Sequence, residues 1–457
     1  MVTACLTIKG RIVIAKSLVI SQMIYIMSAI RIKKKQLQVI QTKIMKILWR
    51  GRPPKVARNT LFQNTEMEGL SAPNVVAIYK AMRVSWVGKI IKNQAMAFAR
   101  VFAEKVQLKV LDITQINYHS IWINSRPINE FYKEMLQWFN EARPTVEPLT
   151  GRDVRKQIIW LNKEICVDGT TVCYKTLYNH GIKHIDDFTD HIGRLLSYAG
   201  FMARFNVPIG FLQYISVISA IPTSWKRRLI GSEQLSMEEK RVFPHITIQE
   251  KKIPIHAVKV SFYLNAWIKV RKPHSQLKWE QVNVRFDEWN KVYLLPFKMT
   301  TSTKLQSLQY RIVHRYFPTR RFLCIRGVVD DPFCNECGEL DIIQHYFAEC
   351  YVRIFWGALF ERVNGNVNQR NRFHAATKNI IFGAPGKSLV VNFIILIAKQ
   401  FIVNRRFKDE RICWADFVDV LRRHFSMEKI VAAKKKVIDK FINKWSPFVT
   451  QDLHLAI

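Results

Sequence analysis

Four residues constrain the local fold of this 457-residue chain more than any others: Cys334, Cys337, His345 and Cys350, spaced C-x2-C-x7-H-x4-C. Two cysteines separated by two residues form a tight knuckle whose sulfurs face one point. A histidine and a cysteine at short helical separation complete a tetrahedron. Three thiolates and one imidazole make a closed Zn²⁺ site, structural in type, with no open position for substrate or water. Gly338, directly after the second cysteine, suits the sharp turn. The bland alternative is three reduced cysteines and a histidine packed in a core. Cys324, upstream, is read as a bystander. A second set, Cys166, Cys173, His180 and His184, has no knuckle, and Tyr174, Leu177 and Tyr178 between them sit at core-like spacing.

Metal-binding cysteines must be reduced. No secretory signal stands out, so a nuclear or cytoplasmic location is expected, where clustered cysteines bind metal rather than pair. The charge is lopsided: 71 Lys plus Arg against 35 Asp plus Glu, a net +36. Hydrophobic residues make up 49%, with 28 Phe, 14 Tyr and 12 Trp, which excludes a disordered basic tail. Only 17 Gly and 16 Pro exclude collagen-like and linker sequences. A folded, strongly cationic protein attracts polyanions, nucleic acid before an anionic membrane surface. The longest apolar stretches are Ser17 to Ile30, after Lys16, and Ser388 to Ala398. Both fall short of the roughly 20 residues that a spanning helix needs. They are read as buried core helices, and no membrane partner is expected.

Apolar spacing predicts a mainly α fold. Residues 10–49 read as two helices separated by Arg31 to Lys35, the second with Leu37, Ile40, Ile44 and Leu48 on one stripe. It stops at Trp49-Arg50-Gly51-Arg52-Pro53-Pro54-Lys55. Another helix follows Glu68-Gly69-Leu70-Ser71-Ala72-Pro73. Residues 257–270 permit a strand or a short helix. Helices are expected at about 302–315, 343–364, 388–405 and 414–445.

No catalytic constellation is complete. Polymerases hold two Mg²⁺ ions with paired aspartates on a hairpin. Neither Asp186-Asp187 nor Asp330-Asp331 has flanking apolar strands. Asp186 reads as a helix N-cap and Asp331 as a turn residue. Gly383-Ala-Pro-Gly386-Lys387-Ser388 resembles a phosphate loop but has two residues between its glycines where four are required. It reads as a loop leading into a helix from Ser388.

Several segments together resemble a family. Gly10-Arg-Ile-Val-Ile-Ala-Lys16-Ser-Leu…Tyr25, Lys46-Ile-Leu48-Trp49 and Gly69-Leu-Ser-Ala-Pro73 resemble the thumb of non-LTR (LINE-type) retrotransposon reverse transcriptases. Gly181-Ile182…Ile185-Asp186-Asp187 and Ala220-Ile-Pro222…Trp225-Lys226 are similar to their connecting region. Trp289-Asn290…Leu295-Pro296-Phe297…Thr303-Lys304-Leu305…Gln309-Tyr310-Arg311…His314-Arg315…Pro318-Thr319, leading into the cysteine–histidine set, resembles their zinc-binding domain. The tail, Ala398-Lys399…Asn443-Lys444-Trp445-Ser-Pro447, resembles their C-terminus. The resemblance implies helical thumb-like (1–95) and connector (96–250) regions, a zinc-binding domain (251–365) and a C-terminal helical region (366–457). It implies RNA, target DNA or both as partners, and no small-molecule substrate.

Such polymerases carry a Tyr-x-Asp-Asp hairpin, and this chain has none, so polymerase activity is not expected of it. The chain reads as a zinc-containing nucleic-acid-binding fragment. A piece of a longer active polymerase, or a relic without a role, are the alternatives. Candidate phosphate contacts are Arg31, Lys33, Lys34, Lys35, Arg50, Arg52, Lys55 and Arg58, then Arg311, Arg315, Arg320 and Arg321 beside the knuckle. Tyr310, Tyr316 and Phe317 interleave with these arginines and either stack bases or form the apolar face of a helix. Ala433-Lys434-Lys435-Lys436 competes as a solvated helix face.

Overall fold

A computed structural model describes residues 6–106, 116, 127–142, 150–162, 164–236, 245–248, 251–268, 272–282, 284, 286–365 and 372–448. The fold is mainly α, as expected. The strands among the described residues form two short antiparallel hairpins, Cys166–Val167 with Thr170–Thr171 and His245–Ile248 with Lys251–Pro254. The second hairpin straddles the junction expected between residues 250 and 251; residues 249 and 250 are outside the described residues.

The chain divides into two compact units. One comprises residues 1–21, 42–73 and 270–457, and the other residues 22–41 and 74–269. We call them the metal unit and the connector unit.

In the metal unit, α1 (Ile8–Ile14) runs into a π-helical turn, Ala15–Ile20. The main helices are α6 (Trp289–Met299), α7 (Thr303–Val313), α8 (Ile343–Ala348), α9 (Val352–Gly365), α10 (Leu389–Lys408), α11 (Trp414–Lys434) and α12 (Ile438–Trp445). The core gathers Trp279, Trp289, Trp356, Phe417 and Trp445 around α10. Val390 to Ala398 are all buried, so the first half of α10 is enclosed on every side. That is the core helix expected after Ser388.

The connector unit is built on α2 (Ser21–Ala29), α4 (Val75–Lys92) and α5 (Glu130–Ala142). Between α2 and α4 in sequence, α3 (Lys34–Trp49) starts after the break at Arg31 to Lys33 and stops at Trp49, as its Gly and prolines predict. Val84, Val87 and Ile91 of α4 join Phe102, Phe139, Trp160 and Phe188 in the core. The segment read as strand or short helix is helical at Val260–Ala266.

Three expectations need correction. The run expected at 414–445 is two helices, because Lys436 turns to φ 56° between them. The run expected at 343–364 is also two, broken at Cys350 with φ 57°. Asp186 is not an N-cap. It is fully buried inside the 3₁₀ turn Ile185–Phe188 and pairs with Arg155 at 2.7 Å, both side chains at 0% exposure. The capping is done by Asp187, which accepts from the N–H groups of Lys183 (2.8 Å) and His184 (2.9 Å).

Ile8–Ala29 forms one continuous helical run of 22 residues, longer than the uncharged stretch suggested, because the π turn carries Lys16 without ending the helix. It is long and apolar enough to cross a membrane, and only 22% of its apolar window is buried, so a fourth correction is that this run is not the buried core helix expected: Leu18, Ile24, Tyr25 and Ile26 are exposed.

Candidate metal centre and its basic flank

The knuckle is a backbone turn before it is a ligand set. Gly338 N–H donates to the Cys334 carbonyl at 2.9 Å, and Cys334 N–H donates to the Glu339 carbonyl at 2.8 Å. Gly338 sits at φ 73°, which a side chain would strain. An isolated bridge between Phe333 and Leu340 closes the loop. His345 comes from α8. Cys350 follows directly on that helix, and its left-handed backbone is the break that ends the run. The Cys334, Cys337, His345 and Cys350 ligand atoms all lie within 4.8 Å of one another, and the four could bind a metal ion. Cys337 Sγ is 3.4 Å from His345 Nε2. Cys334 and His345 are buried, Cys350 is partly buried and Cys337 is exposed.

The surroundings orient these ligands. His345 turns Nδ1 toward the Glu349 carboxylate at 3.6 Å, leaving Nε2 for the centre. Arg406, from α10, donates to Cys334 Sγ at 3.5 Å and to the Tyr346 carbonyl at 2.9 Å, with its guanidinium 4.0 Å over the Tyr346 ring. Arg406 also lies 3.6 Å from buried Asp341. Asp341 in turn accepts from Arg320 N–H at 2.7 Å. A chain of polar contacts thus joins the sulfur cluster, α10 and the helix Arg320–Cys324.

The electrostatics are those of crowded thiols. Burial disfavours the Cys334 thiolate, yet His345, the N–H groups of Glu336 and Cys337, and the Arg406 charge outweigh it and bring its pKa down to about 7. Cys350 is pushed up to about 11 by burial and by the neighbouring Cys337 and Cys334. Several thiolates cannot share this space without a cation between them.

Cys324 stands apart, donating to the Asp330 carbonyl at 3.6 Å. Cys166, Cys173, His180 and His184 do not converge; among the described residues no other group of three or more metal-ligating side chains does. Asp331 is the turn residue expected, accepting from Phe333 N–H at 3.0 Å, and it pairs with Arg320 at 2.7 Å.

The cationic candidates fall in both units. Arg31, Lys33, Lys34 and Lys35 are exposed in the connector unit. Arg31 is engaged by Glu130 (3.3 Å) and Glu134 (3.0 Å). In the metal unit Arg50, Arg52, Lys55, Arg58 and Arg321 are exposed, while Arg311, Arg315 and Arg320 are partly buried. Arg315 stacks 5.0 Å from the centre of the Trp279 ring. The aromatics are largely withdrawn. Tyr310, at 7% exposure, packs on His314 with ring centres 4.0 Å apart, and Phe317 is at 2%. Both belong to the apolar face of the fold rather than to a base-stacking platform. Tyr316 is partly buried.

Sequence reasoning missed Arg406, Asp341 and Glu349. Glu349 stands four residues after His345, a spacing that puts both on one helix face. Arg406, 56 positions beyond Cys350, carries no local signal. It also missed Glu68, quoted only as part of a motif. Glu68 is buried at φ 61°, and its carboxylate accepts from the N–H groups of His274 (2.7 Å) and Ser275 (2.9 Å), capping the helix His274–Glu280. The Gly69 next to it is required sterically, since a Cβ there would meet the Gln63 carbonyl oxygen at 1.9 Å.

No protein-family model matches the chain, and no curated protein matches it.

Proposed function

We propose that the chain is a zinc-containing nucleic-acid-binding protein, similar to the C-terminal half of a LINE-type reverse transcriptase and without polymerase activity of its own. The observation that carries this reading is the joining of a Cys₃His ligand set to a strongly basic flank within one compact unit. The donor set fits zinc. Thiolates and imidazole are its preferred ligands, and Zn–S bonds of about 2.3 Å put sulfurs roughly 3.8 Å apart, within the 4.8 Å spread of these ligand atoms. Bound there, zinc would supply charge neutralisation and a cross-link, because four protein ligands leave no position for water. The chain's own residues do the rest. Glu349 holds the His345 ring, and Arg406 offsets the excess negative charge of three thiolates. Asp341 fixes the start of the helix that carries Arg320 and Arg321. The thumb-like basic turn after α3 and the helix beside the knuckle then grip phosphates of RNA, target DNA or both. Such contacts release counterions and give steep salt dependence.

Metal analysis of purified, reduced, folded protein tests the centre. About one zinc per chain is expected, and its loss on chelation should be accompanied by loss of structure in the metal unit. Folded protein with no metal would contradict the reading.

A further inference from the structure

We propose that Arg11 and Arg311, both close to Tyr316, form with Arg50, which lies beside Arg11, a phosphate-binding site that seats one backbone phosphate of a nucleic-acid strand. The inference rests on the nucleic-acid reading above and narrows it to a single site. Arg11 was absent from the basic residues singled out in the sequence, because it sits inside an apolar helical run.

All four residues belong to the metal unit. Helix α1 lies along α7, where Lys9 Nζ donates to Gln306 at 2.9 Å, and this brings Arg11 toward the end of α7 that carries Arg311. Arg11 is 8% exposed. Its Nε donates to the Leu48 carbonyl at 2.8 Å, and one terminal nitrogen donates to the Leu6 carbonyl. Arg50 Nη2 donates to that same Leu6 oxygen at 3.1 Å. Two guanidinium groups therefore meet at one neutral oxygen, which does not neutralise Arg11. Arg311 Nε is shielded from solvent and has no hydrogen-bond partner among the described residues. Among those residues, neither Arg11 nor Arg311 forms an ion pair with a carboxylate.

Tyr316 is near enough to Arg311 and Arg11 to feel both charges. Burial holds its hydroxyl protonated, while Arg311 and then Arg11 pull the other way. For Arg11, burial and then the nearby Arg50 disfavour the charge; for Arg311, burial does. Withdrawing guanidiniums from water without an anion is costly. A phosphate supplies what is missing: negative charge, oxygens that accept from guanidinium forks, and an acceptor for a phenolic hydroxyl. Arg50, exposed on the turn after α3, forms the open side through which a strand can approach.

The probes are inorganic pyrophosphate and a labelled single-stranded RNA, applied to the full chain and to Arg11→Gln and Arg311→Gln. In the wild type, pyrophosphate should raise the melting temperature; either substitution should abolish that rise. Each substitution should also weaken RNA binding equally across sequences and flatten the salt slope by about 0.7. Arg311→Lys should restore part of both. Should the variants misfold, the wild-type titration still decides: no pyrophosphate stabilisation overturns the site. RNA binding with an unchanged slope in both variants overturns the site while leaving the nucleic-acid reading intact. A pyrophosphate effect in a chain that binds no RNA overturns the nucleic-acid reading and reduces the site to one for free phosphate.

Discussion

Arg155 in the connector unit and Arg311 in the metal unit are both withdrawn from water, and the protein treats them in opposite ways. Arg155 is fully buried, and every arm of its guanidinium is used. It donates to Asp186 at 2.7 Å, to Thr189 Oγ1 at 2.9 Å, to Ser232 Oγ at 2.8 Å, and to the Ser232 and Asp190 carbonyls at 2.7 and 2.9 Å. Arg311, only partly buried, has one shielded nitrogen with no partner and no acid beside it among the described residues. Lys399 shows a third solution. Buried at 1% exposure against Gln309 and the Ile381 carbonyl at 3.1 Å, it has its pKa drawn down to about 7 by burial, which lowers the cost by easing loss of the proton. These three cations are thus paired, eased toward the neutral form, or left open to a ligand; Arg83, fully buried, is a further case, held by the Ile30 carbonyl, the Tyr79 hydroxyl and the Phe131 ring with two of its nitrogens unpartnered among the described residues.

Removing the partner of the satisfied arginine should have the largest effect. Asp186→Ala leaves Arg155 buried and unpaired and should destabilise the connector unit by about 3–5 kcal/mol in denaturant unfolding. A loss below about 1 kcal/mol would mean that the pair is not what holds this region.

Lys399 gives the next largest effect, through pH. Its folded-state pKa of about 7 lies below the unfolded value of 10.5. Between those values the unfolded chain binds the extra proton, so stability rises with pH. From pH 7 to 9 the gain should be about 2 kcal/mol in the wild type and vanish in Lys399→Met. A flat profile in the wild type would show that Lys399 keeps its charge in the fold.

The Arg406 contact with the sulfur cluster predicts a smaller change. Arg406→Met should weaken metal binding by about 10-fold in a chelator competition, as loss of an outer-shell partner does. Arg406→Lys, which keeps the charge but not the fork, should recover part of it.

Arg311→Gln should have the smallest effect on the ligand-free protein. Removing an unpaired, partly buried charge should leave stability within about 1 kcal/mol of wild type, or raise it. A loss as large as that of Asp186→Ala would place Arg311 in the same structural class as Arg155.

The helices were largely legible because their apolar residues recur at three- and four-residue spacing, as at Leu37, Ile40, Ile44 and Leu48. The ligand set was legible because a knuckle is a local pattern. What escaped was set by contacts distant in sequence or by backbone breaks. Nothing near Cys350 announces a left-handed residue between α8 and α9. Asp186 looked like a helix cap because its partner, Arg155, lies 31 positions away. The aromatic choice at Tyr310, Tyr316 and Phe317 could not be made from spacing, since a stacking row and a core face share the same period. Arg11 was hidden by its own helix, where an arginine among isoleucines reads as an interruption rather than a site.

If a zinc-bearing basic unit binds nucleic acid through its phosphates, titrating labelled single-stranded RNA into the zinc-loaded full chain across a salt series should show it. Log affinity should fall linearly with log salt, with a slope of several times about −0.7 between 50 and 200 mM. Binding that does not change over that range, or no binding at 50 mM, would contradict it.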